Sequence, residues 1–337
     1  MRLKSKYFTL IFLLFFFFQG CVDMNLQFDN NPKGNFDALW DIIDRNYCFF
    51  EYKSIDWDRI YDEYSSRVTS DMSSEGLFKL MGQMLAELKD GHVNLSASHD
   101  ITRYWEWQEN YPANFDIDIQ KVYLGNETEY SRVSGMSYKI LEDNVGYLYY
   151  GSFSSDVGNA SLDLILMKMA LCSGLIIDVR NNGGGSLVNV DKIASRFFNE
   201  RTHIGYISHK IGPGHNDFSE LYPKYLESSD RVRFQKPVVV LTNRGCYSAT
   251  NEFVSIMKYA PQITVIGDKT GGGSGLPFSS ELPNGWSIRF SASPILNAEK
   301  EHIEFGVEPD IYVSMLQEDK ENNRDTIIEK ARELLKR

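Results

Sequence analysis

The chain has 337 residues, 42% of them hydrophobic and 24% charged, with a formal net charge of -11. That length supports one large core or two to three small domains, and the acidic balance, without any basic run interleaved with aromatics, argues against nucleic acid as a partner. Beyond Cys21 the cysteines Cys48, Cys172 and Cys246 are few and odd in number, with no metal-type spacing, so neither a disulfide framework nor a metal site is indicated.

Arg2, Lys4 and Lys6 precede an apolar run from Phe8 to Phe18, and Gln19-Gly20-Cys21 follows. A basic start, a short apolar run and a small residue at the cleavage point predict a secretory signal rather than a membrane-spanning helix. The Gly-Cys pair resembles the bacterial lipobox, in which Cys21 becomes the lipidated first residue. A plain signal peptide and an uncleaved anchor are the rival readings. Residues 1–20 are therefore expected to be a lipoprotein signal peptide and 21–33 a polar tether. Acyl chains on Cys21 would hold the protein on a membrane surface of the cell envelope, periplasmic or outer.

From Phe36 to Leu88 the pattern is helical: Phe36, Leu39, Trp40, Ile43 and Tyr47 recur at three- and four-residue spacing, and Ile60, Tyr61, Tyr64 and Val68 follow. This aromatic stripe reads as helix-packing core. Residues 93–142 are rich in Tyr, Trp, Asn and Ser, and alternating runs such as Phe115–Ile119 predict short strands and loops. From Asn144 strands and helices alternate: strands at 145–150, 174–179, 238–241 and 264–266, helices at 160–172, 190–198 and 249–259. That order predicts a mostly parallel sheet with ligands at the carboxyl ends of its strands. Residues 318–337 read as a charged helix.

Three segments carry chemistry. Ser248 follows the run Val238–Leu241 and a Gly-containing turn, and a helical pattern begins right at it. A hydroxyl at such a strand-to-helix junction is exposed at the positive end of a helix, with amides beside it for a developing oxyanion; the plain alternative is a helix N-cap. Cys246, two residues earlier, is a weaker nucleophile candidate. Asp178-Val-Arg-Asn-Asn-Gly-Gly-Gly-Ser186 places three glycines directly after a buried strand, where backbone amides can face a substrate. A tight turn or a phosphate-cradling loop would use the same residues, but the strict phosphate patterns are absent. In Leu88-Lys-Asp-Gly-His-Val93, His92 follows a Gly turn and is free to project, although a lone His is more usually structural.

In this order the segments Lys89-Asp-Gly-His92, Asp178–Gly185, Thr242–Ala249 and Gly306-Val-Glu-Pro-Asp310, with Gly267–Gly273 as a post-helix loop, resemble the C-terminal processing peptidase (tail-specific protease) family of serine peptidases, including the tricorn core. The resemblance implies an α/β, crotonase/ClpP-like catalytic core that hydrolyses peptide bonds without cofactor. It implies Ser248 as nucleophile and the amide of Ala249 with that of Gly183, Gly184 or Gly185 as the oxyanion hole. Members differ in the base. The lysine of tail-specific proteases aligns with Gly273, with Lys269 four residues early; tricorn-like members use a His, which His92 matches, and a distant Glu acting through a further polar residue. Glu304 is the expected supporting acid and Glu308 the weaker one. A base titrating near ambient pH favours His over an unperturbed Lys.

The expected layout is an N-terminal helical domain (34–92), a short β-rich insert (93–142), a catalytic α/β domain (143–315) and a C-terminal helix (316–337). About 50 residues between Val93 and Val145 are too few for a full PDZ domain. The expected function is serine endopeptidase action on protein or peptide substrates. The alternatives are an ester or acyl hydrolase and a non-catalytic binding protein on the same fold.

Overall fold

Asn31 opens the first helix: its side chain accepts the Gly34 amide at 2.8 Å, and Pro32 follows at a position where a missing N–H costs nothing. The computed structural model describes residues 28–336. The signal segment and the Cys21 lipidation site lie outside the described residues, and the helix begins within the stretch read as tether. The elements in chain order are helices α1 (Pro32–Asn46), α2 (Phe50–Lys53), α3 (Trp57–Ser65) and α4 (Ser74–Ala86), strand β1 (Asn94–Ser96), helices α5 (Glu106–Glu109) and α6 (Ile117–Leu124), and strands β2 (Ser131–Val133), β3 (Met136–Ile140) and β4 (Gly146–Tyr150). Then come α7 (Asn159–Met169), β5 (Leu175–Asp178), α8 (Leu187–Ala194), β6 (Thr202–Ile207), β7 (Tyr222–Leu226), β8 (Val238–Thr242) and α9 (Ala249–Met257). The chain ends with β9 (Ile263–Gly267), β10 (Gly275–Glu281), β11 (Ser287–Leu296), β12 (Ile311–Tyr312), α10 (Gln317–Glu321) and α11 (Thr326–Leu335).

The larger sheet runs β12-β9-β8-β5-β4-β3-β2, parallel from β12 to β4 and antiparallel from β4 to β2. Its centre, Leu175–Asp178 and Val238–Thr242, is buried at every position, as near-continuous apolar strands covered on both faces must be. One face packs under α7, α8 and α9, with Phe153, Ile165, Val190 and Phe253 in one core. The other face packs under α11, where Ile327, Ile328, Ala331 and Leu335 meet Tyr147, Ile176 and Val239. The result is three layers, α/β/α.

The C-terminal segment is thus two helices rather than one charged helix. Asp325 breaks it and caps α11, accepting the Ile327 and Ile328 amides at 3.0 Å. The fully buried Arg180 pairs with Asp178 at 2.7 Å and Asp325 at 2.9 Å, tying that cap to the loop after β5. Residues 115–119 also depart from the expected strand. Asp116 accepts the Asp118 and Ile119 amides and starts α6, because local capping overrides the alternation.

The smaller sheet, β1-β11-β6-β7 with β10 also paired to β11, joins the N-terminal helices to the rest. Ile288, Phe290 and Trp286 share a core with Phe36, Leu39, Tyr47, Trp57 and Met84. The helical segment therefore packs as one layer of a helix-on-sheet unit. Among the described residues no helix is long and apolar enough to cross a membrane.

Candidate active site

The strands β5, β8 and β9 end side by side, and the loops after them interlock. The Tyr247 amide donates to the Asn182 carbonyl at 3.1 Å, and the Ser248 amide to the Gly272 carbonyl at 2.8 Å. Ser248 is held at φ 58°, ψ -122°, a conformation that L-residues rarely adopt. Such strain costs about 1–3 kcal/mol and persists only where surroundings over-determine it. Gly184 is part of that surrounding: a Cβ there would lie 2.8 Å from the Ser248 Cβ. The Ser248 side chain caps nothing, so the plain N-cap reading of this serine does not hold.

Its hydroxyl instead meets the His92 ring, with Oγ and Nε2 3.0 Å apart. His92 arrives from the turn between α4 and β1. Its backbone amide donates to Asp90 Oδ1 at 2.8 Å, and its ring packs edge-on to Tyr247 with centroids 5.0 Å apart. Trp107 stacks on Tyr247 with centroids 4.2 Å apart. Gly91 is required by close approach, since a Cβ there would sit 2.8 Å from both Trp107 Nε1 and the Tyr247 hydroxyl. Burial pushes the His92 pKa down to about 4; Asp90 opposes that shift, and Arg289 and Lys53 add to it. The ring is therefore neutral at pH 7, the state a general base requires. Its Nδ1 makes no hydrogen bond among the described residues, and the Gly275 carbonyl near the ring favours the charged form.

Glu304 does not touch the histidine. Its Oε2 accepts the Ser274 amide at 2.8 Å and lies 3.4 Å from the Ser274 hydroxyl, and its Oε1 is 2.8 Å from Lys53 Nζ. Lys53 also lies 3.6 Å from Asp90 Oδ2, which accepts from the hydroxyls of Tyr47 at 3.0 Å and Ser291 at 2.9 Å. The side chains of Lys53, Asp90 and Glu304 are 4%, 0% and 3% exposed, so one ammonium serves two buried carboxylates. Burial, then Asp90, raises the Glu304 pKa to about 7. Asp90 stays below its ordinary value: burial works against that, but Lys53 and His92 outweigh it.

The other sequence candidates are dispersed. Lys269 pairs with Glu308 at 2.8 Å and does not line the cleft around Ser248; Glu308 also accepts from the Tyr312 hydroxyl, so neither residue reaches the serine. Position 273, aligned with the family lysine, is a cleft-lining glycine at φ 81°. Cys246 is buried, donates to the Val179 carbonyl at 3.0 Å and is pushed up to about 12 by burial, which removes it as a nucleophile. Among the glycines, the Gly184 amide already donates to Asn182 Oδ1 at 3.0 Å, and Gly183 stands outside the cleft. Gly185 does line it. The parallel bridge to Phe153 uses the amide of Ser186 and the carbonyl of Gly184, leaving the Gly185 amide directed away from Phe153. The Ala249 amide is in the first turn of α9 and has no carbonyl of its own helix to meet.

The cleft has a volume of about 340 Å³ and is lined by His92, Gly185, Leu187, Val188, Ser248 and Arg289, among others. Lys53, Asp90, Ser274, Tyr247 and Arg289 carry no assignment from the sequence. Asp90 had a local signal, two residues before His92 in one turn, whereas Lys53 is 251 positions from Glu304 and only the fold joins them.

Residues 144–313 match Peptidase family S41, and residues 28–86 match the Tricorn protease C1 domain. The carboxy-terminal processing protease CtpA of Bacillus subtilis is 23% identical over 200 residues, spanning 59% of this chain and 40% of that protein. The chain thus spans less than half the length of the curated relatives it matches. A crystal structure of a protein from Parabacteroides merdae is 56% identical with a TM-score of 0.87, covering 91% of this chain and 97% of the other. Mature CPAF, at 12% identity and a TM-score of 0.69 over 91% of this chain and 96% of the other, shares the fold. An α/β core beside a helical N-terminal layer, the ordered motifs and a match over half of the sequence together show that this chain belongs to peptidase family S41.

Proposed function

We propose that the protein is a serine endopeptidase in which Ser248 is the nucleophile and His92 the base. The observation that carries this reading is the 3.0 Å contact between Ser248 Oγ and His92 Nε2 at a strained strand-to-helix turn. In the reaction Oγ attacks the scissile carbonyl carbon while Nε2 takes the hydroxyl proton. The amides of Gly185 and Ala249 receive the developing oxyanion, Gly185 being the one of the three candidate glycines that lines the cleft. The C–N bond then breaks as the imidazolium returns its proton to the leaving amine. A water, deprotonated by the same nitrogen, releases the acyl group and regenerates Ser248. Asp90, held ionised by Lys53, stabilises the imidazolium, and Glu304 supports the arrangement through Lys53 and Ser274.

Lipidation at Cys21 would place this activity on the cell envelope facing protein or peptide substrates. In this reading the chain divides into 34–92, 93–142, 143–315 and 316–337, and the first segment shares its core with β11. Fluorophosphonate labelling of the protein lacking residues 1–20 tests the reading. We expect stoichiometric labelling that is abolished in Ser248→Ala, slowed at least about 100-fold in His92→Ala and retained in Lys269→Ala. An unlabelled but folded wild type would sink it in favour of a binding protein. Labelling with hydrolysis of esters but of no peptide would favour the acyl-hydrolase alternative.

A further inference from the structure

Resting on that reading, we propose that Arg289 is a carboxylate subsite, so that the cleft selects peptides bearing a carboxylate, from an acidic side chain or the chain terminus, beside the scissile bond. Side chains alternate along β11. Ile288 and Phe290 enter the core beneath the N-terminal helices, which directs Arg289 and Ser291 to the opposite face, where the Ser291 hydroxyl reaches Asp90. Arg289 therefore stands on the His92 side and lines the same cleft as Ser248. Its strand is paired on both flanks, with Asn94 and Ser279 as register partners, so its backbone is fixed.

Arg289 is half-buried, and its guanidinium has no hydrogen bond or ion pair with any described residue. The neighbouring charges are already matched: Glu252 in the cleft pairs with Lys224, and Lys53 is held beneath by Asp90 and Glu304. In a chain of net charge -11, an unpaired cation beside the nucleophile, among Leu276, Pro277 and Ile295, calls for an anion from the ligand. The planar fork of arginine suits a carboxylate in bidentate geometry.

Its position also couples binding to chemistry. Arg289 opposes protonation of His92. A carboxylate seated on the guanidinium cancels that opposition and makes the imidazole a better proton acceptor when Ser248 reacts. The other groups facing the ring, Asp90, Lys53 and Tyr247, are unchanged by such a ligand.

The test is a set of matched quenched peptides carrying Glu, Gln or Lys within two residues of the scissile bond, each as free acid and as C-terminal amide. For the wild type kcat/KM should favour the carboxylate form by about tenfold or more, with the preference shrinking at high salt. Arg289→Met should abolish the preference while still cleaving the Gln amides and still labelling with fluorophosphonate. Arg289→Lys should keep part of it, and Arg289→Glu should reverse it towards Lys. The acidic limb of kcat should lie at higher pH for carboxylate peptides than for neutral ones in the wild type only. Loss of preference on amidation alone assigns the site to the chain terminus, and loss on Glu-to-Gln exchange alone assigns it to an acidic side chain. Equal kcat/KM for carboxylate and neutral peptides in the wild type overturns the proposal, as does a preference that survives Arg289→Met. Binding of the same peptides to Ser248→Ala, read by calorimetry, separates the two readings: unlabelled wild type with carboxylate-selective binding sinks the hydrolase alone, and unselective binding sinks the subsite.

Discussion

At the scale of single residues, the decisive feature is that a buried neutral imidazole faces a serine hydroxyl, with a cation and two carboxylates packed behind it. Burial holds His92 near a pKa of about 4, so the base form survives as pH falls through 6.5 and is lost only close to 4. The fluorophosphonate rate should therefore change little from pH 7 to 5, where a histidine titrating at its ordinary value of about 6.5 would lose roughly 30-fold. Any inflection near 7 belongs to Glu304, whose pKa is raised to about 7, and should vanish in Glu304→Gln. Stopped-flow labelling across that range checks both. Lys53 is a positioning residue in this scheme, since it touches the carboxylates and not the reacting atoms. Lys53→Met should leave Asp90 and Glu304 sharing a buried negative charge, move their protonation to higher pH, and slow labelling on the order of 10- to 100-fold. Lys53→Arg should recover much of the rate. A Met variant with wild-type rate and pH profile would remove Lys53 from the mechanism.

At the scale of elements, loop interlock at the carboxyl ends of β5, β8 and β9 fixes the site, and a buried charge cluster fixes the loops. Arg180 spans Asp178 at the end of β5 and Asp325 at the cap of α11. Arg180→Met should cost about 3–5 kcal/mol, because two buried carboxylates then lose their only ion-pair partner among the described residues. Denaturant unfolding would measure it, and a loss below 1 kcal/mol would show that the cluster contributes little. Gly184 belongs to the same scale. Its φ of 101° and its close approach to Ser248 explain why a glycine stands at this position, next to the cleft-lining Gly185.

At the scale of the molecule, the helical layer is built into the candidate site. It supplies Lys53, it covers Ile288 and Phe290 on the strand that carries Arg289, and α4 leads into the turn bearing His92. Removing residues 34–80 should therefore expose a large apolar face, give an aggregation-prone product and eliminate labelling. Circular dichroism with labelling is the check: a soluble, folded, fully reactive truncation would show that the layer is dispensable.

Sequence alone determined the α/β alternation after Asn144, the helical stretch before His92 and the local settings of Ser248 and His92. Each rests on periodicity or turn chemistry written in a few adjacent residues. It failed where local capping competed with pattern, as at Asp116, and where charge composition hid a buried stripe, as in α11. Only the tertiary structure decided which glycine lines the cleft, that Lys269 turns to Glu308, and that Lys53, Asp90 and Glu304 share one buried site near an Arg289 that is unpaired among the described residues. Those outcomes depend on contacts between residues up to 251 positions apart, which the packing of two sheets and three helical layers creates and no spacing along the chain encodes.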